Sequence, residues 1–264
     1  MKKLISYSVF ALSILLVACK TDTNKSAEQA AELEDAKKYT LIPFTESPQF
    51  PDAKIQNVSY NDGRFNFSIA SESYELGVQT TDAEQKMCAN SAQGQHIHLI
   101  IDNAPYAAKY TAQFDYKIED GPHHMLAFLS RLYHESIKSN GAYTAQIVEI
   151  KDSSIIDAKP ISDPMLFYSR PKGAYIGDDT NKVMLDFYLL NTKIAQDGNY
   201  VEANINGEIH NLYSWRPYYI ENLPDGDNEI TLSLKDNNGN LVETPLNPVT
   251  RQFKIQKDPV AQDK

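Results

Sequence analysis

The chain has 264 residues, of which 35 are Asp or Glu and 25 are Lys or Arg, so its formal net charge at pH 7 is −10. This acidic balance argues against nucleic acid or an anionic lipid surface as a partner. There are two cysteines, Cys19 and Cys88. Because Cys19 lies in the N-terminal segment, Cys88 has no expected partner, and the fold is not expected to depend on disulfide bonds.

The first residues have the layout of a secretory signal peptide. Lys2 and Lys3 precede an apolar run over residues 4–17, which is shorter than the roughly 20 residues that span a bilayer. The string Leu16-Val17-Ala18-Cys19 resembles the bacterial lipobox, in which the cysteine is acylated and becomes the first residue after cleavage. We therefore expect residues 1–18 to be a lipoprotein signal peptide and Cys19 to be lipid-anchored. The alternative is an ordinary signal peptide that is followed by a cysteine by chance.

The residue after the lipidated cysteine bears on the destination. Lys20 stands where an aspartate usually retains lipoproteins at the inner membrane. We therefore expect the outer membrane, with the periplasmic and surface sides both open. Residues 19–38 contain Thr, Asn, Ser, Ala, Glu and Lys with one leucine, which is too little apolar surface for independent folding. They are predicted to form a flexible tether.

From residue 39 onward, short segments with alternating apolar residues recur between Gly, Pro, Asn and Asp. Residues 64–70 and 228–234 are typical. This pattern predicts an all-β protein with two tandem sandwich domains of about 100 residues each. Pro160 and Pro164 would interrupt strand pairing and suit the connection between them. We expect the domains to span residues 39–157 and 158–257, followed by a disordered tail over 258–264.

An internal repeat supports two domains. Residues 94–103 align with 198–207, and residues 114–118 align with 218–222. One residue later in the second copy, residues 121–129 align with 226–234. Both copies predict the same series of strand, turn, short strand, loop, glycine and strand.

Three segments resemble a known family: Gly94-Gln-His-Ile-His-Leu-Ile-Ile-Asp-Asn-Ala-Pro-Tyr106, Ala127-Phe-Leu-Ser-Arg131 with His134-Glu-Ser-Ile-Lys138, and Phe167-Tyr-Ser-Arg-Pro-Lys-Gly173. The layout resembles immunoglobulin-like β-sandwiches of bacterial secreted proteins. Over nearly the whole mature chain it is similar to a family of two-domain envelope lipoproteins from Bacteroidota, whose members are sometimes named phosphopeptide-binding. The resemblance implies immunoglobulin-like domains and an envelope location. The chain has no counterpart of the arginine and serine loops with which phosphopeptide modules read phosphothreonine.

Five of the six histidines lie in the first repeat, and the repeat assigns their faces. Ile97, Leu99 and Ile101 are expected in the core, so His96 and His98 should share the outer face. By the same alternation, His124, Leu126 and Phe128 should also face outward. In an immunoglobulin-like topology the two segments would be paired central strands, which brings His96, His98 and His124 together.

Clustered imidazoles suit copper or zinc. His96, His98, His124 and His134 are therefore candidate metal ligands, with Glu135, Met87 and Cys88 as possible further ones. The alternative is that the His-x-His pattern is ordinary surface decoration.

An outward pair of apolar residues, Leu126 and Phe128, requires an explanation. Either the following loop or the second domain covers them, or they form a docking surface. Arg131 and Lys138 in that loop could hold an anionic ligand. The candidate ligand-binding residues are therefore Leu126, Phe128, Arg131 and Lys138.

Other chemistry is weakly supported. Ser136 follows His134 and Glu135, but no nucleophile elbow surrounds it, so a structural role is expected. Cys88 is expected to be a buried thiol. Trp215 and Tyr218 could stack on sugar rings or could pack in the interior. The sequence thus predicts a non-catalytic binding protein with a copper or zinc site as the most specific option. A glycan-binding or adhesive module and a scaffold subunit of an envelope complex are the alternatives.

Overall fold

The computed structural model describes residues 37–257. The predicted signal peptide, Cys19, nearly all of the tether and the tail over 258–264 lie outside the described residues. Residues 38–257 belong to one compact unit. Within these residues, no helix has the length and apolar character needed to cross a membrane.

The regular secondary structure of the described residues is almost entirely β-strand. The strands are β1 (Thr40–Pro43), β2 (Lys54–Asn61), β3 (Arg64–Ala70), β4 (His96–Ile101), β5 (Ala107–Lys109), β6 (Gln113–Asp115), β7 (Gly121–Ser130), β8 (Tyr143–Lys151), β9 (Ser154–Pro160), β10 (Met165–Arg170), β11 (Gly173–Ile176), β12 (Val183–Leu190), β13 (Tyr200–Ile205), β14 (Glu208–Leu212), β15 (Tyr218–Glu221), β16 (Gly226–Lys235) and β17 (Val249–Gln256). A four-residue helix, α1 (Ala83–Lys86), and a 3-10 turn (Gly177–Thr180) lie in connections.

The first sandwich packs a three-stranded sheet on a five-stranded sheet. The strand order is β2-β3-β6 in the smaller sheet and β5-β4-β7-β8-β9 in the larger one. Between them lies an apolar core that includes Phe65, Leu99, Met125 and Val148. Strand β3 shows why the sequence folds this way, because Phe65 and Phe67 enter this core while Arg64, Asn66 and Ser68, which alternate with them, are exposed.

The second sandwich has the same plan. A four-stranded sheet, β1-β15-β12-β10, faces a five-stranded sheet, β11-β17-β16-β13-β14. Its core includes Phe187, Val201, Ile230 and Phe253. Strand β17 alternates strictly between buried and exposed residues, as expected for a strand with one face in the core and one in solvent. The expected all-β fold of two tandem immunoglobulin-like sandwiches is confirmed.

The two sandwiches share a strand register that follows the internal repeat. In the first, Ile97 lies opposite Leu129 on β7. In the second, Val201 lies opposite Leu234 on β16. The assignment of Ile97, Leu99 and Ile101 to the core is also confirmed.

Three strands are buried on both faces, and they meet between the two sandwiches. All residues of β4, β10 and β12 are buried. One face of each strand enters its own sandwich core, and the other enters a shared apolar layer. That layer contains Ile100, Tyr106, Leu126 and Phe128 from the first sandwich and Ile161, Met165, Phe167, Tyr188 and Leu190 from the second sandwich and the connection that leads into it. We call it the interdomain layer.

Asn103 forms hydrogen bonds that connect the two sandwiches. Its side chain donates to the carbonyl of Leu166 over 2.8 Å and accepts from the amide of Tyr168 over 2.8 Å. Its own carbonyl accepts from the Arg251 guanidinium over 2.6 Å. Because these groups are buried, the bonds satisfy polar atoms that would otherwise be left unpaired in the junction.

Two segments lie on the other side of the boundaries expected from the sequence. Strand β1, which was assigned to the first domain, pairs with β15 of the second. Strand β9 continues to Pro160 and pairs with β8, so residues 158–160 belong to the first sandwich. The chain therefore passes between the sandwiches over residues 161–164. Periodicity alone does not reveal that an N-terminal strand returns to a distant sheet.

Candidate functional site

Three histidines converge at one end of the interdomain layer. The Nε2 atom of His96 lies 2.9 Å from Nε2 of His98 and 2.9 Å from Nδ1 of His134. The third pair, Nε2 of His98 and Nδ1 of His134, is 3.4 Å apart. His96 and His98 are fully buried, whereas His134 is partly exposed. We call this group the tri-histidine cluster.

Local structure explains how these residues meet. His96 and His98 project from the same face of β4, because they are two residues apart in a strand. His134 lies in the loop after β7 with a φ of 70°, a left-handed conformation that turns its ring back toward β4. Gly94 sets the approach to β4, since a Cβ atom there would lie 2.4 Å from the Gly77 carbonyl oxygen. Glycine is therefore required at this crossing of two backbones.

The proton positions around His96 leave the cluster incompletely hydrogen-bonded. Nδ1 of His96 is 2.8 Å from the Gly94 carbonyl oxygen, which can only accept, so Nδ1 carries the proton and Nε2 carries a lone pair. This single lone pair faces a nitrogen of His98 and a nitrogen of His134, both at 2.9 Å. It can accept one strong hydrogen bond, so one of the two contacts lacks a bridging proton.

Ring contacts hold the other two imidazoles. The His98 ring stacks on Tyr106 with centroids 3.6 Å apart and an interplanar angle of 8°. Nδ1 of His98 lies 3.4 Å from the Ser169 hydroxyl of β10. The Tyr106 hydroxyl lies 3.2 Å from Nδ1 of His134. The second sandwich thus contributes to the surroundings of the cluster through Ser169.

The three imidazoles of the tri-histidine cluster are uncharged at neutral pH. Burial lowers the pKa of His96 to about 4, and the nearby positive charges of Arg170 and Lys172 act in the same direction. Burial also holds the pKa of His98 and of His134 well below the usual value, again with contributions from Arg170 and Lys172. Neutral imidazoles offer lone pairs and are the form that binds metal ions.

These pKa shifts predict acid sensitivity of the metal-free protein. As the pH falls below about 6.5, the unfolded chain takes up a proton at His96 that the folded protein refuses until about pH 4. Stability is therefore lost over this window, and His96 alone accounts for about 2 kcal/mol between pH 6.5 and pH 5. Urea unfolding of the metal-free protein at pH 7 and pH 5 measures the loss. An equal free energy of unfolding at both values would contradict the neutral cluster.

The geometry of the cluster fits a tetrahedral or trigonal metal ion. Zn–N bonds of 2.0–2.1 Å separate ligand nitrogens by about 3.3 Å in a tetrahedral site. The observed separations of 2.9, 2.9 and 3.4 Å need an expansion of only a few tenths of an ångström. The Gly94 carbonyl and the Ser169 hydroxyl lie at the far ring nitrogens, where metal-binding histidines usually have a partner.

The predicted ligand His124 lies elsewhere. In the pairing of β4 with β7, Phe128 lies opposite His98, and His124 extends beyond the end of β4. Its amide donates to the Asp102 carboxylate over 2.8 Å. The metal-capable group comprises His96, His98 and His134 and does not include His124, Glu135 or Cys88. The prediction of His124 as a ligand was wrong because, in the antiparallel pairing of β4 with β7, His124 lies at the opposite end from His96.

The predicted ligand-binding patch of Leu126 and Phe128 is not open to a ligand. Both residues point away from the first core, as expected, but both are fully buried in the interdomain layer. Phe128 stacks on Tyr188 of β12 with centroids 5.1 Å apart. The second domain covers the patch, which was one of the two explanations considered from the sequence.

Arg131 and Lys138 are also engaged inside the protein. The Arg131 guanidinium donates to the Pro48 carbonyl and lies 3.5 Å from a carboxylate oxygen of Glu135. The Lys138 ammonium lies 2.8 Å from the buried carboxylate of Asp186. Both cations hold loops in place, so neither is free to bind an anionic ligand.

The residues considered for catalysis have contacts that are typical of structural residues and not of nucleophiles. Ser136 is buried, and its hydroxyl accepts a hydrogen bond from Lys138 over 2.6 Å, so it faces a proton donor rather than a base. Cys88 is buried among Phe44, Tyr133 and Met184, and burial raises the pKa of its thiol to about 12. Met87 is exposed. These contacts support no nucleophile at Ser136 or Cys88.

The aromatic segment around Trp215 does not form an exposed row. The Trp215 indole donates to the Phe187 carbonyl over 3.0 Å and packs edge-on against Tyr188. Tyr218 is buried in the second core. Tyr218 is therefore not available to stack on a sugar, whereas Trp215 is partly exposed and lines an open cleft with Lys138, Asn140 and Tyr143.

Four residues of the site were missed as site residues in the sequence analysis: Tyr106, Ser169, Arg170 and Lys172. Each lies in a segment that carried the family resemblance, but the spacing of these residues in the sequence does not predict a ligand-binding role. Tyr106 belongs to the same sandwich as the histidines, but the proximity of Ser169 to His98 depends on the packing of β10 against β4, which is a contact between domains. Strand alternation within one domain does not predict it.

Comparisons with known proteins add little to this site. No protein-family model matches the chain, and no curated protein matches it. The fibronectin(III)-like modules of CbhA from Clostridium thermocellum align with 36% of this chain and 100% of their own, at 12% identity and a TM-score of 0.29. The extracellular domain of BT3049 from B. thetaiotaomicron aligns with 78% of this chain and 38% of its own, at 10% identity and a TM-score of 0.27. Likeness at this level carries no conclusion about function.

Proposed function

We propose that this chain is a non-catalytic, lipid-anchored protein of the cell envelope that holds one copper or zinc ion on His96, His98 and His134. The observation that carries the proposal is the convergence of three neutral imidazole nitrogens within 3.4 Å in a largely buried site. Hydrogen bonds cannot satisfy both 2.9 Å contacts of His96, whereas a cation accepts all three lone pairs at once.

The donor set points to copper or zinc rather than to a hard cation. Calcium and magnesium require oxygen ligands, and the cluster offers only imidazole nitrogens. The partly exposed ring of His134 gives an ion a route to the two buried ligands. Because the loop that carries His134 is held by the Arg131–Glu135 ion pair, the third ligand is positioned before the metal arrives.

The envelope location rests on the sequence. The signal peptide over residues 1–18 and the lipobox that ends at Cys19 support a lipid anchor, and Lys20 favours the outer membrane. The resemblance to Bacteroidota envelope lipoproteins is in accord with that location. The partner in this proposal is the membrane, through the lipid on Cys19, and no nucleic acid. A scaffold role in an envelope complex is the alternative if the cluster binds no metal.

The test is metal binding by a soluble form that starts at Thr21 and so contains every described residue. We expect one equivalent of zinc or copper per chain. His98→Phe preserves ring packing against Tyr106, and His134→Asn keeps a residue that tolerates a left-handed conformation. Each variant should weaken metal binding at least about a hundredfold, because a lost ligand costs more than a lost outer-shell partner. Isothermal titration and metal analysis measure this.

His124→Ala is the matched control, because His124 was a candidate ligand from sequence and lies outside the cluster. It should bind metal as tightly as the parent protein. Stoichiometric binding that survives both His98→Phe and His134→Asn, or the absence of binding in the parent protein, would remove the metal-binding function.

A further inference from the structure

We infer that the tri-histidine cluster is selective for Cu⁺ and binds it more tightly than it binds Zn²⁺ or Cu²⁺. This inference rests on the proposed metal site, and it names the ion and the ionic charge that the site favours. Three properties of the described residues carry it: the neutral ligands, the neutral groups behind those ligands, and the aromatic rings around them.

The ligand set of the cluster carries no charge. Within the described residues, the metal-capable group comprises His96, His98 and His134 and includes no carboxylate and no thiol. An ion that enters the site therefore keeps its full charge. The electrostatic cost of moving an ion out of water grows with the square of its charge, so a dication costs about four times as much as a monocation of the same size. The uncharged ligand set favours a monovalent ion.

The buried carboxylates of the protein are engaged with other cations. Within the described residues, the buried acidic side chains are Glu135 and Asp186. A carboxylate oxygen of Glu135 lies 3.5 Å from the Arg131 guanidinium, and the Asp186 carboxylate lies 2.8 Å from the Lys138 ammonium. Because each carboxylate is balanced by its own cation, neither supplies a net negative charge to offset a second charge on the metal.

The groups behind the two buried ligands are also uncharged. Nδ1 of His96 lies 2.8 Å from the Gly94 carbonyl oxygen, and Nδ1 of His98 lies 3.4 Å from the Ser169 hydroxyl. In zinc sites this outer position is often taken by a carboxylate, which raises the basicity of the imidazole and offsets the charge of the metal. A carbonyl and a hydroxyl orient the rings without adding charge, so they do not favour a dication.

Aromatic rings surround the two buried imidazoles. The Tyr106 ring stacks on His98 with centroids 3.6 Å apart, and the centroid of Phe128 lies 5.0 Å from that of His98. The centroid of Tyr110 lies 5.0 Å from that of His96. Such surroundings offer little polar compensation for the more highly charged state of a bound copper ion. They therefore stabilise Cu⁺ relative to Cu²⁺.

A positive charge beyond Tyr106 acts in the same direction. The Lys172 ammonium lies 4.2 Å from the centre of the Tyr106 ring, which also stacks on His98. The ring separates the ammonium from the cluster, so the two interact only through space. The field of Lys172 opposes a bound dication more strongly than a bound monocation.

The number of ligands agrees with a monovalent ion. Zn²⁺ in proteins almost always has four ligands. Cu⁺ has the same filled d shell but a single charge, and it is stable in trigonal coordination by nitrogen. The described residues offer three imidazole nitrogens that are 2.9, 2.9 and 3.4 Å apart. These three ligands are sufficient for Cu⁺.

The test compares the affinities of the Thr21 soluble form for three ions. Competition with a chromophoric Cu⁺ chelator in the absence of oxygen gives the affinity for Cu⁺, and parallel competitions give those for Cu²⁺ and Zn²⁺. We expect one equivalent of Cu⁺, bound at least about a hundredfold more tightly than either dication.

A carboxylate placed behind His98 tests the electrostatic cause. Ser169→Asp should lower the ratio of Cu⁺ affinity to Cu²⁺ affinity at least about tenfold, because the added charge compensates the dication. Ser169→Asn has nearly the same size as Ser169→Asp but no charge, and it should leave the ratio within about threefold of the parent value.

A second variant tests the same cause at a partly exposed position, where folding does not depend on a buried charge. Lys172→Glu should lower the ratio at least about fivefold. Lys117→Glu is the matched control, because it makes the same change of charge at an exposed position. Lys117 pairs with Glu119, whose carbonyl contacts His123 at the end of β7 far from the cluster. The ratio should be unchanged in this control.

The outcomes separate this inference from the metal site itself. If the parent protein binds none of the three ions, the proposed function fails and the selectivity falls with it. If Zn²⁺ or Cu²⁺ binds as tightly as Cu⁺, the metal site stands and the selectivity for Cu⁺ is overturned. A ratio that is the same in Lys172→Glu as in Lys117→Glu would overturn the electrostatic cause.

Discussion

Replacement of Asp186 by alanine is expected to lower the free energy of unfolding by about 3–5 kcal/mol. The Asp186 side chain is fully buried, and its two oxygens accept from the Lys138 ammonium over 2.8 Å and from the Ser136 amide over 3.0 Å. Removal of the carboxylate leaves a largely buried cation and a buried amide without their acceptor. Urea unfolding at neutral pH measures the change.

A second variant separates the ion pair from general packing. In Asp186→Leu with Lys138→Met, the unpaired charge disappears together with the carboxylate, so most of the lost stability should return. Loss of the same size in the single and double variants would show that the charge pair is not the cause. The exposed pair Lys117 and Glu119 is the matched control, and Glu119→Ala should cost less than about 1 kcal/mol.

Much of the fold follows from local rules. Alternation in segments such as residues 64–70 predicts strands, and the repeat of residues 94–103 in residues 198–207 predicts two similar sandwiches. These signals succeed because each side chain faces either its own core or the opposite side of its own sheet. The same alternation correctly puts His96 and His98 on the face opposite Ile97.

Contacts that join distant parts of the chain could not be predicted from the sequence. Whether the outer faces of β4 and β7 are covered or form a docking surface stayed open, and the structure shows that the second sandwich covers them. A signal was present, because residues 183–190 contain one charged residue in an otherwise apolar run, and such runs are typical of strands buried on both faces. Recognising that run would have predicted the interdomain layer, although not which residues face each other across it.

The candidate site, like the fold, could be predicted where it depends on local spacing and not where it depends on contacts between distant segments. Spacing within β4 brings His96 and His98 together, and the loop that contains His134 was a candidate from the start. His124 was wrongly included because the β4–β7 register, which places Phe128 opposite His98 and leaves His124 beyond the end of β4, cannot be read from residue type. Ser169 was missed because its contact with His98 joins two sandwiches, which strand alternation within one domain does not predict.

Truncation of Phe128 should have the other large effect. Phe128→Ala is expected to lower the free energy of unfolding by about 3–5 kcal/mol, since it leaves a cavity in the interdomain layer between Tyr188 and His98. The same change removes one support of the His98 ring, so metal affinity should fall as well. Thermal or urea unfolding and metal titration of one preparation measure both effects.

A control for Phe128→Ala distinguishes interior packing from a binding surface. Ile156 on β9 is 60% exposed, and Ile156→Ala should change stability by less than about 0.5 kcal/mol. If Phe128 were instead part of an open docking face, its truncation would behave like that of Ile156. Stability equal to that of the parent protein would therefore contradict the interdomain layer, and loss of stability with unchanged metal affinity would show that the His98 ring does not depend on Phe128 for its position.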